Sequence, residues 1–83
     1  MALLIPQRVF KQLAAMPKAE ARRLLARLEK IAEAPHEPHP DVVPLVGEPG
    51  AFRVRQGKWQ AVFSIEEGDV IVERVAHRRE VYR

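Results

Sequence analysis

The sequence predicts a small α+β domain with its helices first and its sheet last. Three observations predict it: apolar residues recur with helical spacing in the first third, five of the seven prolines crowd the middle, and the last third alternates with period two. Eighty-three residues are enough for one domain, 1–83. Such a chain buries only about 60–65% of its unfolded surface, so its core supplies marginal stability.

The elements follow in order. Ala2–Ile5 is a brief apolar run that Pro6 ends, and it reads as a first strand. In Gln7–Met16 the residues Val9, Phe10, Leu13 and Met16 fall on one stripe of a short helix. Pro17 cannot continue that helix but suits the first turn of another. From Lys18 to Glu33 the apolar positions Ala21, Leu24, Leu25, Leu28, Ile31 and Ala32 make a second amphipathic stripe. The two helices form an antiparallel hairpin.

Residues 34–50 hold Pro35, Pro38, Pro40, Pro44 and Pro49 with Gly47 and Gly50, and they read as a connector lying across the surface. Beyond it Phe52 and Val54 alternate with Arg53 and Arg55, and Gln56-Gly57-Lys58 makes a tight turn. Trp59, Ala61, Phe63 and Ile65 alternate with Gln60, Val62 and Ser64, and Trp59 and Phe63 read as core. Glu66-Glu67-Gly68-Asp69 makes a second turn, and Val70–His77 is a third strand. This is a three-strand antiparallel meander with one face left for the helices. A basic tail, Arg78-Arg79-Glu80-Val81-Tyr82-Arg83, closes the chain.

The composition narrows the function classes. With 47% hydrophobic and 30% charged residues the chain is globular rather than disordered. The absence of cysteine removes disulfides, thiolate nucleophiles and cysteine-based zinc sites, and suits a reducing, cytoplasmic compartment. No apolar run approaches the ~18 residues of a membrane span, and the N-terminus lacks a basic secretory n-region. Fourteen Lys and Arg against eleven Asp and Glu give +3. In residues 51–83 every basic side chain except Lys58 is Arg, whose forked donors fit phosphate, so the bias points toward nucleic acid.

The clearest constellation is the outward row of the meander. With Phe52 and Val54 in the core, Arg53 and Arg55 project together, about 7 Å apart at ~3.3 Å per residue. Gln60 falls beside them on the next strand, while Arg74, Ala76 and Arg78 share a parity on the last. Tyr82 follows on the tail, giving an arginine-lined cleft with one phenol. The same alternation also describes a solvated face with no ligand. His77 ends the last strand, as a general acid or base or as a satisfied edge histidine. His36 and His39 flank Glu37 near Asp41, but the prolines among them and the missing third ligand argue against a metal.

The run Phe52-Arg53-Val54-Arg55-Gln56-Gly57-Lys58-Trp59-Gln60-Ala61-Val62-Phe63, followed by Val75-Ala76-His77-Arg78-Arg79-Glu80-Val81-Tyr82, resembles the RelE/ParE superfamily of type II toxin–antitoxin toxins. The likeness covers nearly the whole chain, and the tail is its most specific part. It implies a RelE-like fold in which the N-terminal strand and the meander form a four-stranded sheet under the helical hairpin. For the RelE branch it implies a ribosome-dependent mRNA endoribonuclease that needs no metal or cofactor, in which a ribose 2′-OH attacks the adjacent 3′-phosphate. By position, Arg53 and Arg55 would hold the phosphate, Arg78 would stabilise its developing charge and Tyr82 would assist proton transfer. Arg55, Arg78 and Tyr82 are thus the expected catalytic residues, with Arg53, Lys58, Gln60, His77 and Arg79 as the substrate-binding set.

Two positions depart from the superfamily pattern: Gln60 stands where many relatives have Arg, and Phe63 where many have Tyr. The implied partners are the ribosome with its mRNA and an acidic, DNA-binding antitoxin that wraps the hairpin and covers the basic cleft in a hetero-oligomer. Two other functions compete, a ParE-like inhibitor of DNA gyrase and a catalytically weak module that binds antitoxin or nucleic acid.

Overall fold

The computed structural model describes residues 2–81. Its elements are β1 (Leu3–Leu4), α1 (Gln7–Ala14), α2 (Lys18–Glu33), β2 (Val42–Pro44), β3 (Ala51–Gln56), β4 (Trp59–Glu66), β5 (Asp69–His77) and α3 (Arg78–Val81). The strands form one mixed sheet in the order β1-β5-β4-β3-β2. All pairs are antiparallel except β1, which runs parallel to β5.

The helices begin where the prolines dictate. Pro6 and Pro17, at φ −61° and −55°, precede α1 and α2 and present no N–H that a helix start would leave unmatched. Val9, Leu13, Met16, Leu24, Leu28 and Ile31 descend from the hairpin onto Val54, Ala61, Phe63, Val70, Val72 and Val75 of the sheet. Phe63 is fully buried and Trp59 packs half-buried at the core's margin. Phe10 departs from the stripe on which periodicity places it and is 55% exposed on α1.

The sheet has five strands, not four. The extra one, β2, comes from the proline-rich connector, where Val42 and Val43 pair with Val54 and Arg53. Pro44 is tolerated because an edge strand needs ladder bonds on one side only. The connector is pinned to the helices by side chains. His39 donates from Nε2 to the Ala34 carbonyl at 2.7 Å. The Arg27 guanidinium donates to the Pro40 carbonyl and to Gln56 Oε1, and lies 3.8 Å from the Asp41 carboxylate. The basic tail makes a helical turn at Arg78–Val81.

The hairpins keep tight two-residue turns. Glu67 and Gly68 both have positive φ, +51° and +83°, as a type I′ turn requires. A register shift between Val62 and Phe63 leaves Glu73 without a cross-strand partner, since Val62 faces Arg74 while Phe63 faces Val72. This bulge exposes backbone groups that α1 engages. The Val75 N–H donates to Gln12 Oε1 at 2.7 Å, and Arg8 donates to the Glu73 carbonyl at 3.3 Å.

Candidate functional site

The bulge decides what the outer face of the sheet, opposite α1 and α2, carries. Val70 and Val72 point into the core in strict alternation, and the extra residue lets Val75 point there too. Arg74 and Ala76 are thereby turned outward. Two rows result across three strands: Arg53–Val62–Arg74 and Arg55–Gln60–Ala76. Arg53 and Arg55 stand about 7 Å apart along β3, and Arg74 lies two strand spacings from Arg53, roughly 10 Å. Arg55 and Arg74 are exposed, and Arg53 is half-buried. At the sheet edge Arg53 and Arg55 share a recess of about 130 Å³ with Asp41 and Val43, so β2 forms one of its walls.

Three cations on one face of so short a sheet make a place for a polyanion. Arg guanidiniums stay charged throughout the physiological range and donate in fixed forks that match phosphate oxygens. Arg74 is the contributor that motif reading leaves out of the candidate set. Its signal was present in the spacing, because Val72 and Val75 are three apart and cannot both face the core without a bulge.

The other candidates are placed as follows. Gln60 lies between Arg55 and Ala76, yet its side chain is fully buried, and neither amide atom has a hydrogen-bond partner among the described residues. Val62 is buried on this face as well. α3 packs against β4 and β5, beginning where the Arg78 N–H donates to the Lys58 carbonyl at 2.8 Å. Lys58 is exposed in the β3–β4 turn, and Arg78 and Arg79 are exposed on α3. His77 is cross-strand partner of Trp59 and meets its ring edge-on at 5.4 Å, so it stands on the helix side of the sheet and not among the arginines. Tyr82 lies outside the described residues. Among the described residues no three His, Asp or Glu side chains come together as a metal site.

A second surface lies on the hairpin. Phe10, Leu13, Met16, Ala21 and Leu25 line a groove of about 390 Å³ between α1 and α2, with Lys18 and Arg22 also on its wall. It is apolar at its floor and basic at its margin. No described helix is long and apolar enough to cross a membrane.

A family model described as ParE toxin of type II toxin–antitoxin system, parDE, matches residues 5–82. The chain belongs to the ParE toxin family. It is a type II toxin of the RelE/ParE superfamily, and solved structures carry the same fold. A chain of the RelB–RelE antitoxin–toxin complex from Methanococcus jannaschii superposes with a TM-score of 0.80 at 21% identity, covering 95% of this chain and 94% of its own. A chain of the archaeal RelE–RelB complex from Pyrococcus horikoshii gives 0.74 at 26% identity, with 93% of each covered. The isolated E. coli RelE toxin gives 0.76 at 21%, over 96% of this chain and 88% of that one. Among curated proteins none matches the chain.

Proposed function

We propose that this toxin cuts messenger RNA on the ribosome without a metal ion. The observation that carries the reading is the double row on the outer face, with Arg53, Arg55 and Arg74 on two strands. Their spacing along β3 is comparable to that of successive phosphates on one RNA strand. In the reaction the 2′-oxygen attacks its own 3′-phosphorus and the 5′-oxygen leaves. The product ends are a 2′,3′-cyclic phosphate and a free 5′-hydroxyl. Negative charge grows on the non-bridging oxygens as the fifth bond forms, and preorganised donors favour that state over the ground state.

Arg53 and Arg55 hold the phosphate, Arg74 lengthens the cationic track, and Arg78 at the head of α3 takes the developing charge. Tyr82 moves the proton, the role its place in the tail motif implies, and guanidiniums beside a phenol lower the cost of its phenolate. The partner that silences the toxin is an acidic antitoxin. Its charge suits the arginine face, and an amphipathic helix suits the apolar groove of the hairpin, where Lys18 and Arg22 favour acidic flanks.

Product chemistry tests the reading. Ribosomes programmed with mRNA and treated with toxin in EDTA should yield 5′-hydroxyl and cyclic phosphate ends. A second reading, a catalytically weak module that binds antitoxin or nucleic acid, is favoured by Gln60, an uncharged and covered side chain at the centre of the arginine rows, and a third is inhibition of DNA gyrase. Growth arrest with DNA breaks and intact mRNA would establish that reading and refute the nuclease.

A further inference from the structure

The recess at the sheet edge carries both signs of charge. Its four lining residues stand at the corners of one patch of the β2–β3 ladder: Val43 is the cross-strand partner of Arg53, and Asp41, one step before Val42, lies level with Arg55. The Asp41 carbonyl accepts from the Arg55 N–H at 3.3 Å, which fixes that level. Asp41 holds φ +61°, a left-handed conformation that Asp and Asn adopt more readily than other side chains. Arg27 secures the corner from α2 through the Pro40 carbonyl and Gln56 Oε1, while its guanidinium stays 3.8 Å from the Asp41 carboxylate. The Asp41 side chain is 65% exposed, so its backbone holds the carboxylate in place with accepting positions toward solvent. Val43, partly exposed, supplies an apolar wall.

We propose that this recess is a subsite for a guanine base of single-stranded RNA, with Asp41 as its specificity-determining residue. A phosphate alone does not account for the carboxylate, because like charges repel and a recess built for an anion would exclude it. A neutral ring that donates on one side and accepts on the other suits both signs. Among the four RNA bases guanine alone sets two adjacent donors, N1–H and the N2 amine, beside two acceptors, O6 and N7. The donors match the two oxygens of a carboxylate, and the acceptors match a guanidinium fork. Adenine and cytosine set an amine beside a ring acceptor, and uracil sets N3–H between two carbonyls, so each would present Asp41 with an acceptor. A volume of about 130 Å³ admits a single ring system rather than a whole nucleotide, with its face on Val43 or on a guanidinium plane. Each guanidinium carries five donors, so Arg53 and Arg55 can serve a base on the β2 side and a phosphate on the Arg74 side. The place of the base relative to the cut rests on the nuclease reading; the subsite itself does not.

The experiment titrates the full chain with the 5′-monophosphates of guanosine, adenosine, cytidine and uridine in turn, and follows the Val43, Arg53 and Arg55 amides by NMR. The four carry the same phosphate, so differences among them report the base. The guanosine nucleotide is expected to bind about tenfold tighter than the other three, the discrimination of one good bidentate pair. Asp41→Asn keeps the left-handed corner and the carbonyl bond to Arg55 but turns one acceptor into a donor. It should bring the four affinities within about twofold of one another. Equal affinities in the wild type overturn the inference, as does a guanosine preference that survives in Asp41→Asn. A variant that binds all four more tightly with their ranking unchanged makes the recess a phosphate site and overturns it as well. Mapping the cuts on ribosome-bound mRNA separates the two readings. Cuts that cluster beside guanine in the wild type and scatter in Asp41→Asn support use of the subsite in the reaction. Cuts without base preference, beside an intact guanosine preference in solution, refute that use and leave the nuclease reading standing. A guanosine preference with no cleavage by either protein refutes the nuclease reading alone.

Discussion

Among the described residues Gln60 is the one buried polar side chain of the sheet. A buried amide with neither atom bonded to a described residue forfeits its hydration without replacement, at a cost of about 1–3 kcal/mol. Replacing it by an apolar side chain of similar shape removes the cost and leaves no void. Gln60→Leu should therefore raise the melting temperature, by about 4–8 °C for each kcal/mol in a domain this small, as calorimetry would show. An unchanged or lower melting temperature would mean that the amide is satisfied. Phe63 behaves oppositely. Its ring is fully buried and stacks on Phe52 at 5.7 Å, so Phe63→Ala should cost about 3–5 kcal/mol in urea unfolding. Arg74 contributes charge without core packing. Arg74→Ala should leave stability unchanged while weakening single-stranded RNA binding and reducing its salt dependence.

Among the elements, β2 and the β4–β5 turn carry the tests. Arg27 is the polar tie from α2 to the Pro40–Asp41 corner, and the Asp41 carbonyl in turn accepts from the Arg55 N–H at 3.3 Å. Arg27→Ala should cost about 2 kcal/mol and speed exchange at the Val42 and Arg55 amides before it affects β4. Glu67 holds a left-handed conformation that Asn adopts more readily, so Glu67→Asn should stabilise the turn by about 0.5–1 kcal/mol in the same unfolding assay. The meander was legible because Phe52 and Val54, then Trp59, Ala61, Phe63 and Ile65, recur with period two between turn residues, with Arg53, Gln60 and Ser64 among their neighbours. β2 was not legible. Pro44, with Pro38 and Pro40 just before the strand, argues locally against one, and only pairing with β3 makes Val42–Pro44 a strand. A four-residue helix such as α3 is too short for any period to register.

For the molecule as a whole, parity groups Arg53 with Arg55 on β3 and Arg74 with Ala76 on β5, while the bulge that lets Val72 and Val75 both face the core, and the α1 contacts that compensate it, come from the register. The same limit applies to His77. Its motif places it next to Arg78, while register places it against Trp59 on the other side of the sheet. The architecture divides the labour. The hairpin and the inner face supply the core and an apolar groove, while the outer face gathers cations on strands whose mutual register the ladder fixes. Rigid strands suit that task, because transition-state charge is best met by donors already in position.

Single-turnover cleavage of ribosome-bound mRNA by the wild type and by Arg55→Ala tests this arrangement most directly. The account predicts a rate lower by about 10²–10³-fold in the variant, with thermal stability unchanged. Equal rates in the two proteins, at equal occupancy of the ribosome, would contradict it.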